Sequence, residues 1–163
     1  MIRRARADDL VALTALYNHY VERTPITFDV EPYTVEQRRA WLDGFAERGR
    51  HQLFVAEAGG RVVGWAGTLR FREKRAYDTT VEMTVYLAPD AVGRGLGAAL
   101  YEALFAALAG EDVHRAVAGI TLPNDASIAL HRRFGFSEVG VLREVGRKLG
   151  RYWDVLWMER ALP

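Results

Sequence analysis

Between residues 80 and 108 the hydrophobic period changes once, and the change predicts a strand that runs through a glycine loop into a helix. In TTVEMTVYL, Val81, Met83, Val85 and Leu87 alternate with Thr80, Glu82, Thr84 and Tyr86, the two-residue period of a strand with unlike faces. After Pro89 come glycines at 93, 95 and 97. Leu96, Leu100, Leu104 and Leu108 then recur every fourth residue, with Ala103 and Ala107 beside them, as one face of a buried helix.

The rest of the chain is patterned around this unit. Residues 2–6 predict a short first strand, and Asp8 or Asp9 can cap a helix whose stripe is Leu10, Leu13, Leu16, Tyr17 and Tyr20. Residues 24–33 carry Pro25 and Pro32 and predict a loop. Thr34, with Gln37 in the capping-box position, starts a second helix that uses Val35, Trp41, Leu42 and Phe45 and stops at Gly49 and Arg50. QLFVAEA and RVVGWAGTLRF read as strands joined by the hairpin turn Gly59-Gly60. Beyond the central unit lie a strand at 113–122, a short helix at 124–134, and two strands, 137–144 and 152–160, around a turn at 146–150. This order predicts an α/β fold with a mixed sheet and helices on both faces, in a single domain over residues 1–163.

Composition narrows the function classes. Half the residues are hydrophobic and 26% are charged, and the net charge of +1 supplies no field for nucleic acid or an acidic membrane. With no cysteine there is no disulfide, thiolate nucleophile or thiolate metal site, and no metal is expected. The charged N-terminal stretch has no apolar run behind it and no segment reaches transmembrane length, so a cytoplasmic protein without a membrane partner is expected.

The glycine loop is the first candidate for chemistry. Glycines ahead of a helix bring free backbone N–H groups to its positive end, which suits a phosphate or pyrophosphate; an ordinary strand-to-helix turn has the same composition. The loop is neither a Walker sequence nor the dinucleotide spacing G-x-G-x-x-G. The second candidate is the helix that opens at Asn124 and carries Ser127, Leu130, His131 and Phe134 on one face before Gly135-Phe136.

Pro89-x5-Gly95-x-Gly97 after a strand, followed by Asn124-x-x-Ser127-x-x-Leu130-His131-x-x-x-Gly135-Phe136, resembles the two signature blocks of the GNAT superfamily of N-acetyltransferases. The likeness sharpens toward the phosphinothricin and methionine-sulfoximine acetyltransferase group. It is carried by Tyr17-Asn18-His19-Tyr20, Thr27-Phe28, Glu31-Pro32, Arg75-Ala76-Tyr77, Thr80-Val81-Glu82, Thr84-Val85-Tyr86, Leu122-Pro123-Asn124-Asp125 and Gly146-x-Lys148-x-Gly150-x-x-x-Asp154-Val155. One departure is that Val92 and Gly93 stand where the family usually starts its loop with Gln or Arg. The resemblance implies a mostly antiparallel central sheet of about seven strands and a homodimer, with Trp153 and Trp157 open to an interface or a core role.

It also implies acetyl-CoA as donor. Its pyrophosphate would rest on the N–H groups of Gly93, Arg94, Gly95, Leu96, Gly97 and Ala98, with Arg94 as a nearby cation. Its pantetheine arm would pair with the main chain of Val85, Tyr86 and Leu87, one of whose N–H groups would polarise the thioester carbonyl. Asn124 would touch the cofactor, or cap its helix, or both. Acetyl transfer needs a neutral amine, and Glu82, mid-strand opposite the apolar row, is the candidate general base; a solvent-facing carboxylate or one paired with Arg70 or Arg72 is the alternative. His131 takes the place of a tyrosine that reprotonates the leaving thiolate, and packing is its other role. Phe28, Arg72, Arg75, Ala76 and Tyr77 would hold a small amino-acid analogue such as phosphinothricin, methionine sulfoximine or methionine sulfone. Lacking cysteine, the enzyme would transfer directly in a ternary complex. Another small amine or a protein N-terminus as acceptor, or a non-catalytic acyl-CoA-binding module, are the alternatives.

Overall fold

A computed structural model describes residues 1–163. The elements are β1 (Ile2–Arg4), α1 (Leu10–Arg23), α2 (Val35–Asp43), β2 (Leu53–Ala58), β3 (Arg61–Arg70), β4 (Thr80–Leu87), α3 (Leu96–Leu108), β5 (Arg115–Thr121), α4 (Asp125–Arg133), β6 (Ser137–Lys148) and β7 (Arg151–Ala161). The strands form one seven-stranded sheet in the order β1-β2-β3-β4-β5-β7-β6. Only β4 and β5 run parallel, because the chain between them crosses over through α3; every other neighbouring pair is antiparallel.

The two faces of β3 and β4 sort the helices. Trp65 is buried on one face against Tyr17 of α1 and Trp41 of α2, at ring distances of 6.3 and 5.2 Å. On the other face Gly64 lies under Leu87 and Leu100, and its missing side chain lets α3 settle onto the sheet. Leu100 and Leu104 of α3 are fully buried there, as the four-residue period predicted, and Tyr101 is buried beside them. Gly97 lies against Leu130, which brings the start of α3 against α4.

Three local expectations are corrected. Asp9 does not cap α1: its carboxylate accepts the Arg6 N–H at 2.8 Å and pairs with Arg3, because a 3-10 turn intervenes between β1 and α1. The second helix keeps the Thr34–Gln37 capping box but stops at Asp43, since Gly44 follows and the Ala46 N–H turns to the His51 carbonyl. The last hairpin turns on Leu149 and Gly150 alone, both at positive φ, so Gly146 belongs to β6. A further feature, for which no expectation was made, is that α2 buries an arginine: Arg38 lies 3.5 Å over the Trp41 ring and 4.5 Å over Tyr17, and burial lowers its pKa.

Leu104→Ala should remove roughly 2–5 kcal/mol of stability through the cavity it leaves under the sheet, read as a lower midpoint in chemical denaturation.

Candidate active site

The parallel pairing of β4 with β5 covers only Thr80–Arg115, Val81–Ala116 and Glu82–Val117. Beyond it each strand follows its other neighbour: β4 stays on β3 as far as Leu87, and β5 stays on β7 as far as Thr121. The gap between them is therefore edged by backbone. The Ala88 N–H donates to Val63 and the Leu122 N–H donates to Asp154, and an antiparallel ladder alternates its bonding side at each residue. Val85 and Leu87 on β4, and Gly119 and Thr121 on β5, thus turn their amides and carbonyls into the gap. The Leu87 carbonyl accepts the Tyr20 hydroxyl at 2.6 Å. The Tyr86 main chain faces β3, so three consecutive main-chain contacts are excluded by the pleat; Tyr86 gives its ring instead, edge-on to Tyr17 and Tyr20.

At one mouth of the gap the glycine loop enters α3. Gly93 and Gly95 have φ of 79° and 75°, which only glycine adopts without strain. The first internal bond of the helix runs from Ala99 N–H to the Gly95 carbonyl. The N–H groups of Gly93, Arg94, Gly95, Leu96, Gly97 and Ala98 donate to no acceptor in the chain. They form a cradle of free donors at a helix N-terminus, which is chemistry that suits an anion, and Arg94 beside them is exposed and in no ion pair. Val92, exposed at the loop's start, lines the adjoining cavity. Asn124 caps α4 by accepting the Ser127 N–H at 3.2 Å and also lines that cavity, so both of its expected roles are open to it.

Two cavities meet in the gap, of about 250 and 390 Å³. The first runs from Val92 and Gly97 along Val85 and Leu87 to Ser127 and His131. The second is a chamber under the loop at residues 24–33, walled by Phe28, Leu142, Val145 and Trp157 and floored by Glu82 and Thr84. They share Ile26, Met83, Thr84, Tyr86, Gly119 and Thr121, so what enters from either side meets at mid-strand.

Glu82 is the only carboxylate that lines this chamber. Burial raises its pKa, and Arg72 opposes the shift without forming an ion pair with it. Arg70 is bound instead to Glu73 and Asp78, and Arg72 lies over the Phe71 ring at 4.8 Å. A carboxylate so placed holds a proton more readily than an exposed one.

His131 is 3% exposed, and both ring nitrogens are engaged. Nδ1 is 2.7 Å from the Ser127 carbonyl, which can only accept, so Nδ1 carries the proton. Nε2 then accepts the Tyr101 hydroxyl at 2.9 Å. Burial lowers the imidazole pKa, and the bond to Ser127 opposes this. The ring borders the first cavity as a neutral, internally bonded group that ties α4 to α3.

Arg72, Arg75, Ala76 and Tyr77 are exposed on the β3–β4 connection and line neither cavity. Tyr77 packs on Phe71, and Phe71 on Trp157, so the segment flanks the chamber without entering it. Trp157 is a chamber wall lying over Gly119, while Trp153 donates to the Lys148 carbonyl at 2.8 Å. Leu142, Val145, Trp157 and Thr121 were not legible as site residues; they share no motif and converge only through the sheet order.

Free amides at one mouth, strand edges along the gap and a raised carboxylate in the chamber beyond suit a group-transfer site fed from two sides. The model of the acetyltransferase (GNAT) family matches residues 13–136. A phosphinothricin N-acetyltransferase of Streptomyces coelicolor is 56% identical over 99% of this chain and 95% of its own. An L-methionine sulfoximine/L-methionine sulfone acetyltransferase of Pseudomonas aeruginosa is 37% identical over 99% of this chain and 94% of its own. Among solved structures, a phosphinothricin acetyltransferase from Sinorhizobium meliloti in complex with acetyl-CoA superposes with a TM-score of 0.93 at 32% identity, covering 99% of this chain and 88% of that one. The chain belongs to the acetyltransferase (GNAT) family.

Nitrogen NMR of His131 should report the Nδ1–H tautomer, with a titration midpoint below the ordinary value of about 6.5. An Nε2–H tautomer, or a midpoint above that value, would contradict the bonding described.

Proposed function

We propose that this chain is an acetyl-CoA-dependent N-acetyltransferase, one domain over residues 1–163, acting on the α-amine of a small amino-acid analogue of the phosphinothricin, methionine sulfoximine or methionine sulfone type. The observation that carries the reading is Glu82: an unpaired, partly buried carboxylate beside the point where the two cavities join. The relatives named for these substrates support the choice of acceptor.

The residues fit the donor. The free amides of Gly93 to Ala98 and the Arg94 guanidinium suit a pyrophosphate, and the edges of Val85 and Gly119 suit an extended amide-bearing arm. When bound, acetyl-CoA supplies an activated acyl group. The chain supplies the rest. The Val85 or Leu87 N–H would donate to the acyl oxygen, and Glu82 would accept the proton of the incoming ammonium, directly or through water. With no cysteine to hold an acetyl group, transfer is direct within a ternary complex. The chamber's Phe28, Val145 and Trp157 suit a short apolar side chain, and its threonines suit a compact polar head.

The same reading has the protein act as a cytoplasmic homodimer. No helix is long and apolar enough to cross a membrane. The last strand of the sheet, β6, exposes Val139, Val141, Leu142 and Val145 along an open edge, a surface that natural proteins cover. A second copy there would also lie against the chamber, which Leu142 and Val145 line.

Glu82→Gln should lower kcat/KM for the amine by roughly 10²- to 10⁴-fold while acetyl-CoA binding by calorimetry stays intact. The base must be ionised to act, so wild-type kcat/KM should fall with acidification through a midpoint above about 4.3, and that limb should vanish in the variant. Unchanged turnover in Glu82→Gln removes it from the mechanism. Thiol release should require both acetyl-CoA and an amine from a panel of phosphinothricin, methionine sulfoximine, methionine sulfone and ordinary amino acids. Tight cofactor binding with no productive amine would leave only a binding module. In light scattering the wild type should have twice the chain mass, and Val141→Arg should reduce it to one.

A further inference from the structure

The loop at residues 24–33 roofs the acceptor chamber through Ile26, Thr27 and Phe28, and it is held from two sides. On the helical side, the Tyr17 hydroxyl bonds Thr27 Oγ1 at 2.7 Å and donates to the Asp29 carboxylate at 2.5 Å. Asn18 brackets the far end, accepting the Tyr33 N–H and donating to the Tyr33 carbonyl. On the sheet side the contacts come from β6. Lys148 Nζ donates to the Thr27 carbonyl at 2.7 Å and more loosely to the Tyr20 carbonyl at 3.4 Å. The Phe28 ring lies flush on Gly146, where a Cβ would overlap it. Asp154, accepting the Glu144 N–H at 2.8 Å, fixes the β6 irregularity from which Leu142 and Val145 reach the chamber.

Lys148 is 6% exposed, and its ammonium faces main-chain carbonyls instead of a carboxylate partner; Asp29 acts on it only through space. A buried ammonium so placed is costly to a fold, and an apolar side chain of similar length would fill the space without that penalty. What the charge does achieve is directional: it ties the α1 terminus and the loop to the final hairpin, at a helix end where a cation is favoured. Neither Lys148 nor its ammonium lines either cavity, so it does not touch the reacting groups.

We infer that Lys148 and Gly146 are positioning residues for the amine acceptor: Lys148 sets the height of the chamber roof through the Thr27 carbonyl, and Gly146 seats Phe28 as its wall. The inference rests on the acceptor reading of the chamber.

Steady-state kinetics with methionine sulfoximine and acetyl-CoA test it. Lys148→Met should raise the acceptor KM about tenfold or more while the acetyl-CoA KM moves less than about twofold. Lys148→Gln, which keeps an N–H donor for the Thr27 carbonyl, should recover part of the loss. Gly146→Ala should give the same acceptor-selective shift, and its effect should be non-additive with Phe28→Ala in a double-mutant cycle. An unchanged acceptor KM, equal shifts in both KM values, or additivity in the cycle would overturn the inference, as would failure of both lysine variants to fold, which is the signature of a purely structural lysine. Absence of wild-type turnover with any amine would instead overturn the acceptor reading beneath it.

Discussion

The parallel ladder between β4 and β5 ends after three residue pairs because each strand is more firmly committed elsewhere. β4 is paired along its length with β3, and β5 with β7, so the twist of the sheet separates them beyond Glu82 and Val117. Two strands that part in mid-sheet leave backbone donors and acceptors without partners in a place walled by protein. Such groups are costly unless something bonds them, and an extended ligand with amides of its own is the natural partner. The site follows from this separation: the cradle at the start of α3 lies at one end of the gap and the chamber with Glu82 at the other.

The helices make the separation tolerable. On one face Trp65, Tyr17 and Tyr86 pack as a ring cluster that holds α1 on the sheet and puts the Tyr20 hydroxyl on the Leu87 carbonyl. On the other face the Tyr101–His131 bond and the Gly97–Leu130 contact lock α4 to α3 across the open strands. A histidine spent on this bond is unavailable as a cationic acid, since both nitrogens are committed and burial keeps the ring neutral. Glu82 is in the opposite situation, because nothing in the chain neutralises it. The one group is bonded on both sides within the chain, and the other is left without an ion-pair partner.

The periods in residues 80–108, the paired glycines at 59 and 60, and the Thr34–Gln37 cap are all realised at the elements they predicted, because each depends on neighbours a few residues away. The glycine loop, the Asn124 cap and the outward face of Glu82 were legible for the same reason. Their chemistry is local: positive φ, a helix end, and alternation along a strand.

Contacts distant in sequence were not legible. Arg38 is a charged residue in a short helix, yet Tyr17 of α1 and Tyr33 of the preceding loop close over it together with Trp41 of its own helix. The arginine-rich connection at 72–77 reads as substrate-facing, yet it packs outside the chamber, while Leu142, Val145 and Trp157, which carry no polar signal, form its wall. By itself the sequence determined the elements, the glycine loop ahead of α3 and the place of Glu82 in β4. Only the tertiary structure decided which strands part, which side chains meet across the gap and which charges stay unpaired, because those depend on the sheet order β1-β2-β3-β4-β5-β7-β6 and on burial that no local pattern encodes.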